Sequence, residues 1–228
     1  MMFEFVKLPE LQFDLKAETT SDGRKYVTPH GKKYPSVTTI LQPYSIAKVM
    51  EWRQRVGDEV ANKVAAKASR RGTNLHSICE KYLLNEMTDM QYKMMMPHIK
   101  QLFVQLKPQL DQHIGKIYCL EQALYCDNLR IAGRVDCIAE WKGKLSVIDF
   151  KSSTRMKQEE NIGNYFMQCA AYAQMFEGIT GQPINDLVVA IGVEEGEGQI
   201  FEVQKDKYLP ELHKYVKKYY RKNPVVEL

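Results

Sequence analysis

The spacing of apolar positions changes along the chain, and each change marks a different kind of structure. Residues 1–45 hold only short apolar runs between turn signals, and Asp22-Gly23 and His30-Gly31 read as hairpin tips between short strands. Ser36-Val37-Thr38-Thr39-Ile40-Leu41 follows, with hydroxyls suited to capping a helix. From about Ile46 to Leu106 the period is helical, and Leu75, Ile78, Cys79, Tyr82 and Leu83 form one apolar stripe. Interruptions are expected near Arg71-Gly72 and between Asn85 and Asp89, with a kink or break at Pro97.

The middle third reads as strands: KIYCLEQALYC, RIAGRVDCIAEW and KLSVIDFKSS, the last two joined by an antiparallel turn at Lys142-Gly143. A helix is predicted from Asn161 to Phe176, stopped by Gly178. LVVAIGVE and QIFEVQK are two more strands, and an amphipathic helix runs from about Tyr208 to Lys222. The expected organisation is one α+β domain over residues 1–228. It comprises strands and turns (1–45), a helical region (46–107), a sheet core (115–204) and a C-terminal helix (205–228).

At 228 residues, 44% hydrophobic and 26% charged, the chain has the composition of an ordinary globular domain. A net charge of +4 means that any basic surface must be local. The five cysteines form no CxxC pair, so reduced, mostly buried thiols are expected, with neither a zinc site nor an iron–sulfur cluster. No apolar run approaches the roughly 20 residues of a membrane span. The first residues lack signal and transit composition, so a cytoplasmic place is expected, in a bacterium or a phage-infected host rather than a mitochondrion. There is no GxxxxGK[ST] phosphate loop.

The candidate chemistry lies in Gly133-Arg134-Val135-Asp136 and Val147-Ile148-Asp149-Phe150-Lys151. Side chains alternate along a strand, so Asp149 and Lys151 share one face while Ile148 and Phe150 share the other. The antiparallel turn can bring Asp136 beside Asp149, where two carboxylates repel unless a cation lies between them. Hard divalent ions such as Mg²⁺ or Mn²⁺ suit such oxygens, and a neighbouring lysine suits a phosphate. Taken alone, Asp-x-Lys at a strand end is also a common solvated turn.

These segments, GRVD followed by DFKSS, resemble the signature of the PD-(D/E)XK nuclease superfamily in its RecB-like exonuclease branch. The helix bearing His76, the Gln168-x-x-x-Tyr172 pair and the segment Tyr34 to Leu41 extend the resemblance over residues 34–172. The last segment is similar to one in mitochondrial genome maintenance exonucleases and their phage and bacterial relatives. The resemblance implies a restriction-endonuclease-like αβββαβ core, with a mixed central sheet flanked by helices and an N-terminal helical insertion. It implies that Asp136, Asp149, the Phe150 carbonyl and His76 hold Mg²⁺ or Mn²⁺, with Glu121 as a further candidate. Lys151 would serve the attacking water, and Gln168 and Tyr172 would face the active site and the nucleic acid. Glu80, one turn from His76, is a candidate to orient the imidazole. Structural readings stand beside these: His76 as a core histidine, and Gln168–Tyr172 as a satisfied i,i+4 pair.

Ser36, Thr38, Arg71, Ser152, Ser153 and Thr154 are the candidate nucleic-acid contacts; the last three also suit capping of a turn. Lys48, Arg53, Arg55, Lys63, Lys67, Arg70 and Arg71 can form a basic helix face or a solvated one. Trp52, Tyr34 and Tyr165 suit base stacking or the core. The expected function is a metal-dependent DNA exonuclease acting on single strands, ends or flaps and leaving 5′-phosphates. Its setting would be replication, repair or recombination, whose proteins are candidate partners. The rivals are a structure-specific endonuclease, a non-catalytic nucleic-acid-binding protein and a subunit of a recombination machine.

Overall fold

The structure, a computed structural model, describes residues 2–224; residues 225–228, assigned above to the C-terminal helix, lie outside the described residues. In chain order, β1 (Lys16–Thr20), β2 (Gly23–Val27) and β3 (Lys33–Pro35) make a small antiparallel sheet, turning where Asp22-Gly23 and His30-Gly31 predict. Helices α1 (Val37–Val56), α2 (Asp58–Leu83), α3 (Asp89–Lys93) and α4 (Pro97–His113) follow. Next come β4 (Ile114–Cys126), β5 (Ile131–Trp141), β6 (Lys144–Arg155), α5 (Gly163–Thr180), β7 (Asp186–Glu195), β8 (Gln199–Gln204) and α6 (Leu209–Lys222).

The main sheet has the order β4-β5-β6-β7-β8. β4, β5 and β6 are antiparallel neighbours, β7 lies parallel to β6, and β8 closes the edge antiparallel. A parallel neighbour requires a crossover, which α5 supplies. The result is a mixed α+β fold whose α4-β4-β5-β6-α5-β7 order is the αβββαβ core expected from sequence.

Both faces of the sheet are covered, which explains why β5, β6 and β7 read as almost continuous apolar runs. On one face Ile148, Phe150, Cys137 and Ala190 pack against Leu75 and Cys79 of α2 and Leu102, Phe103 and Leu106 of α4. On the other, Val147, Val189 and Ile191 meet Phe166, Ala170 and Ala173 of α5, with Val37, Ile40 and Leu41 of α1 in the same cluster. The roots of α1 and α2 therefore stand on opposite faces. Between them, residues 42–70 are mostly solvent-exposed, including Ile46, Val49, Met50, Val60 and Val64.

Several boundaries differ from the sequence expectation. Ser36 caps α1 by accepting from the Thr39 amide at 3.1 Å, so the helix starts at Val37 rather than near Ile46. No break occurs at Arg71-Gly72, because Arg71 is buried and bonded on a continuous α2; the helix break lies at Gly57, with φ 83°. There Arg53 ties the joint by reaching Asp58 at 2.7 Å and Asn62 at 2.8 Å. The break expected at Pro97 is present, since Pro97 opens α4 at its first turn, where its missing N–H costs nothing; only the far end differs, α4 continuing to His113, beyond the expected 107. Gly178 sits inside α5, which ends at Gly181 in the left-handed region, φ 70°.

Candidate metal and active centre

Five elements deliver the site. The two-residue turn at Lys142 (φ 53°) and Gly143 (φ 78°) pairs Trp141 with Lys144 and keeps that register to Cys137 opposite Ile148. The next rung would be Asp136 opposite Asp149, but the ladder stops there. Instead the Phe150 amide donates to Asp136 Oδ2 at 2.8 Å. The carboxylate takes the place of a backbone acceptor where β5 and β6 separate.

On the other side of Asp136, the β4–β5 ladder is interrupted at Glu121, between the Leu120–Cys137 and Gln122–Val135 pairs. Glu121 has φ 47°, a left-handed conformation uncommon for a residue with a side chain, and Arg134 Nη1 donates to its carbonyl. From α2, His76 Nδ1 lies 3.4 Å from Asp136 Oδ2 and 4.0 Å from Glu121 Oε1. One ligand atom from each of His76, Glu121 and Asp136 falls within 4.8 Å of the others. Asp149 stands beside this set, ion-paired with Lys151, whose ammonium sits 5.3 Å over the Tyr165 ring.

The electrostatics follow from burial. Asp149 is 1% exposed, and its Oδ1 has no hydrogen-bond partner among the described residues. Burial, against the opposing pull of Lys151 and with the push of Asp136, raises its carboxyl to about 6. Burial and the neighbouring Asp136 raise Glu121 to about 7. Asp136 is buried too, but the His76 hydrogen bond and the Lys151 charge outweigh that and hold it below the usual carboxylate range. Burial works against charged His76 and Lys151, yet the carboxylates win and both pKa values rise.

An orphaned carboxylate oxygen on a buried acid, next to a set of one imidazole and two carboxylates, is a fit for a divalent cation. Oxygen donors suit Mg²⁺ or Mn²⁺, and the imidazole adds a ligand that Mn²⁺ accepts readily.

The remaining sequence candidates fall into two groups. Tyr172 is buried over Gly133, hydrogen-bonded to Gln168 and close enough to feel the charges of Asp136 and Asp149. That contact explains the glycine: a Cβ at Gly133 would lie 2.8 Å from Tyr172 Cε1 and 3.0 Å from its hydroxyl. Gly133→Ala is expected to cost about 1–3 kcal/mol by overpacking, read as a lower denaturation midpoint at unchanged m; parental stability would show the ring yields freely.

Other side chains are committed within the fold. Arg71, expected to meet nucleic acid, is buried; it donates to Ser152 Oγ at 3.1 Å and Thr154 Oγ1 at 2.9 Å and pairs with Glu194 on β7. This ties the helix bearing His76 to the strand end bearing Lys151. Ser153 Oγ donates to the Arg155 carbonyl at 2.6 Å, and Ser36 is occupied as a cap, while Thr38 remains exposed. Tyr34 is buried and bonded to Asp127, and Tyr165 lies against Lys151, so neither is an open stacking platform. Glu80 acts on Glu121 electrostatically, and the contact that orients His76 is Asp136. Of the basic helix residues, Arg53, Lys63, Lys67 and Arg71 are in ion pairs. All five cysteines are buried free thiols.

An antiparallel hairpin presenting Asp and Asp-x-Lys, next to a helix that supplies histidine, is the arrangement of a nuclease core. A sequence profile of the PD-(D/E)XK nuclease superfamily matches residues 41–223, and the chain belongs to that superfamily. It is similar to mitochondrial genome maintenance exonuclease 1 of Homo sapiens, at 26% identity over 54% of this chain and 38% of that protein. The Xenopus tropicalis protein of the same name is 30% identical over 66% of this chain and 44% of its own length. The chain thus spans less than half the length of these curated relatives. A crystal structure of an Eubacterium rectale protein, described as a candidate exonuclease, aligns over 69% of each chain with TM-score 0.44 and 14% identity.

Proposed function

We propose that the chain is a divalent-metal-dependent DNA exonuclease that hydrolyses phosphodiesters from a free end and leaves 5′-phosphates. The observation that carries the reading is the set of His76, Glu121 and buried Asp136, whose ligand atoms converge, with the buried Asp149–Lys151 ion pair beside it. Asp136, Asp149, His76, Glu121 and the Phe150 carbonyl would hold the cation. A bound Mg²⁺ or Mn²⁺ supplies Lewis-acid charge at the scissile phosphate. Lys151, held protonated by its carboxylate neighbours, donates to the phosphate oxygens and stabilises charge that builds in the transition state. Tyr172, hydrogen-bonded to Gln168, faces the site from the α5 side, near enough to feel the charges of Asp136 and Asp149.

The preference for an end rests on the helical hairpin. Its roots lie on opposite sheet faces, and both approach the Lys151 end of β6: α2 through Arg71 to Ser152 and Thr154, α1 through Tyr44 at the start of α5. A strand reaching the carboxylates from that end passes the span 42–70, and a single strand with a free terminus does so without opening it. Thr38 and Ser152, and the helix cations Lys48 and Arg55, which have no ion-pair partner among the described residues, are the candidate phosphate contacts.

The test is digestion of end-labelled linear, flap and circular single-stranded DNA with Mg²⁺ or Mn²⁺. Linear and flap substrates should be degraded to 5′-phosphorylated products, and circles should survive. Cutting of circles at a comparable rate would replace this reading with an endonuclease on the same core.

A further inference from the structure

Helix geometry puts Asn74, Ile78 and Lys81 on the flank of α2 opposite His76. With α3 and the start of α4, that flank encloses a groove of about 470 Å³. Its walls carry Met87, Met90, Met94, Met95 and Met96, and Met90 and Met94 are 70% and 78% exposed. Five thioethers within ten residues make a surface that adapts to aliphatic and aromatic partners, because methionine is unbranched and polarizable.

One wall is compliant. α3 contains no fully buried residue; it is held by its Thr88–Gln91 capping box, by Lys100 over Tyr92 at 4.4 Å and by the partial packing of Tyr92 against the core, while Met90 on it and Met94 at its end stay exposed. A helix this short has little stability of its own. The rim is basic. Lys81 lines the groove, and an adjoining cavity of about 350 Å³, sharing Asn74 and Met96, is lined by Lys67, Arg70 and His98. Its acid, Glu194, is held by Arg71 and lies 3.7 Å from Lys67. Arg70 and Lys81 have no ion-pair partner among the described residues.

We infer that this groove docks a short amphipathic helical segment of a partner protein, its apolar anchors against the methionines and its acidic residues toward Lys81 and Arg70. Helix-in-groove recognition uses anchors at i, i+3 or i+4 and i+7, which suits an apolar trough with charged margins. A nucleic-acid strand is the weaker fit: neither cavity is lined by Phe, Tyr or Trp on which bases would stack. The surface is separate from the catalytic cluster, so the inference stands independently of the nuclease reading.

The probe is a fluorescein-labelled peptide of about four helical turns, with Leu and Phe anchors on one face and Asp and Glu elsewhere. Its control carries Lys at every acidic position. By fluorescence polarisation with the full chain, the acidic peptide should bind saturably and the control at least about tenfold more weakly. Met94→Glu and Lys81→Glu should each weaken the acidic peptide by at least about tenfold while leaving DNA cleavage unchanged. An oligo-dT strand should not displace it. Absent binding, equal binding of both peptides, or parental affinity in Met94→Glu would overturn the inference; displacement by oligo-dT would also do so, by making the groove a nucleic-acid surface.

Discussion

Asp149→Asn is expected to lower DNA cleavage by at least about 10³-fold while the protein stays folded. The figure corresponds to losing about 4 kcal/mol of transition-state stabilisation, at 1.36 kcal/mol per tenfold, within the several kcal/mol that a positioned cation supplies. The substitution is nearly isosteric and removes the charge from a carboxylate that is 1% exposed, so packing against β7 and α5 should survive. Lys151→Ala should cause a similar loss of cleavage with a larger cost in stability, because it strands a buried carboxylate without its cation. Turnover of end-labelled DNA and thermal melts of both variants are the measurements. Activity within tenfold of the parent in either variant would remove that residue from the chemistry.

The second large effect is on stability against pH. Glu121, Asp149 and His76 all bind protons more tightly in the folded chain than their ordinary values imply, with Glu121 at about 7 and Asp149 at about 6. Wherever the folded state holds more protons than the unfolded one, stability falls as pH rises. The Asp149 contribution is complete only below pH 3.8 and is lost by about pH 6, and that of Glu121 is complete only below pH 4.5 and is lost by about pH 7. That of His76 is complete below pH 6.5 and is lost above it, so between pH 5 and 8 Glu121 dominates the fall. Carboxylates held low, such as Asp136 and Glu194, act in the opposite sense, but theirs is complete above their unfolded pKa.

In chelator, the melting temperature should therefore fall by about 5–15 °C between pH 5 and 8, from a loss on the order of 2–5 kcal/mol. Mn²⁺ at about 100 times its dissociation constant should restore about 2.7 kcal/mol. That increment should be larger at pH 8 than at pH 5, because protons compete for the same ligands. Glu121→Gln should flatten the chelator profile. A profile that is flat or rises with pH would mean these groups are not held as described.

The fold was legible where periodicity was strong. The Lys142-Gly143 turn, the strands β4, β5 and β6, and the alternation that puts Ile148 and Phe150 opposite Asp149 and Lys151 all follow from local spacing. What failed was decided by distant partners. Arg71-Gly72 looks like a helix break, but Glu194, more than a hundred residues away, pulls the guanidinium into the fold and the helix runs through. Gly178 looks like a stop, but the chain turns left-handed only at Gly181.

The place of Glu121 was only half visible. Its strand could be read, but its left-handed φ and its approach to His76 depend on the β4–β5 register, which no local signal marks. Tyr165 reads from the sequence as a base-stacking or core residue, since an aromatic near the start of a helix gives no hint that it will sit against Lys151.

The two-residue connection at Lys142-Gly143 lies five rungs from the Asp136–Asp149 level, yet it counts out which side chains meet there. Lengthening it by a single amino acid would offset one arm of the hairpin and turn its acid toward the opposite layer of the molecule. Loop length, elsewhere the cheapest feature for a lineage to vary, is here a parity condition on the chemistry. On the proposed reading, a change of one residue at this distant tip would cost as much cleavage as removing one of the two acids.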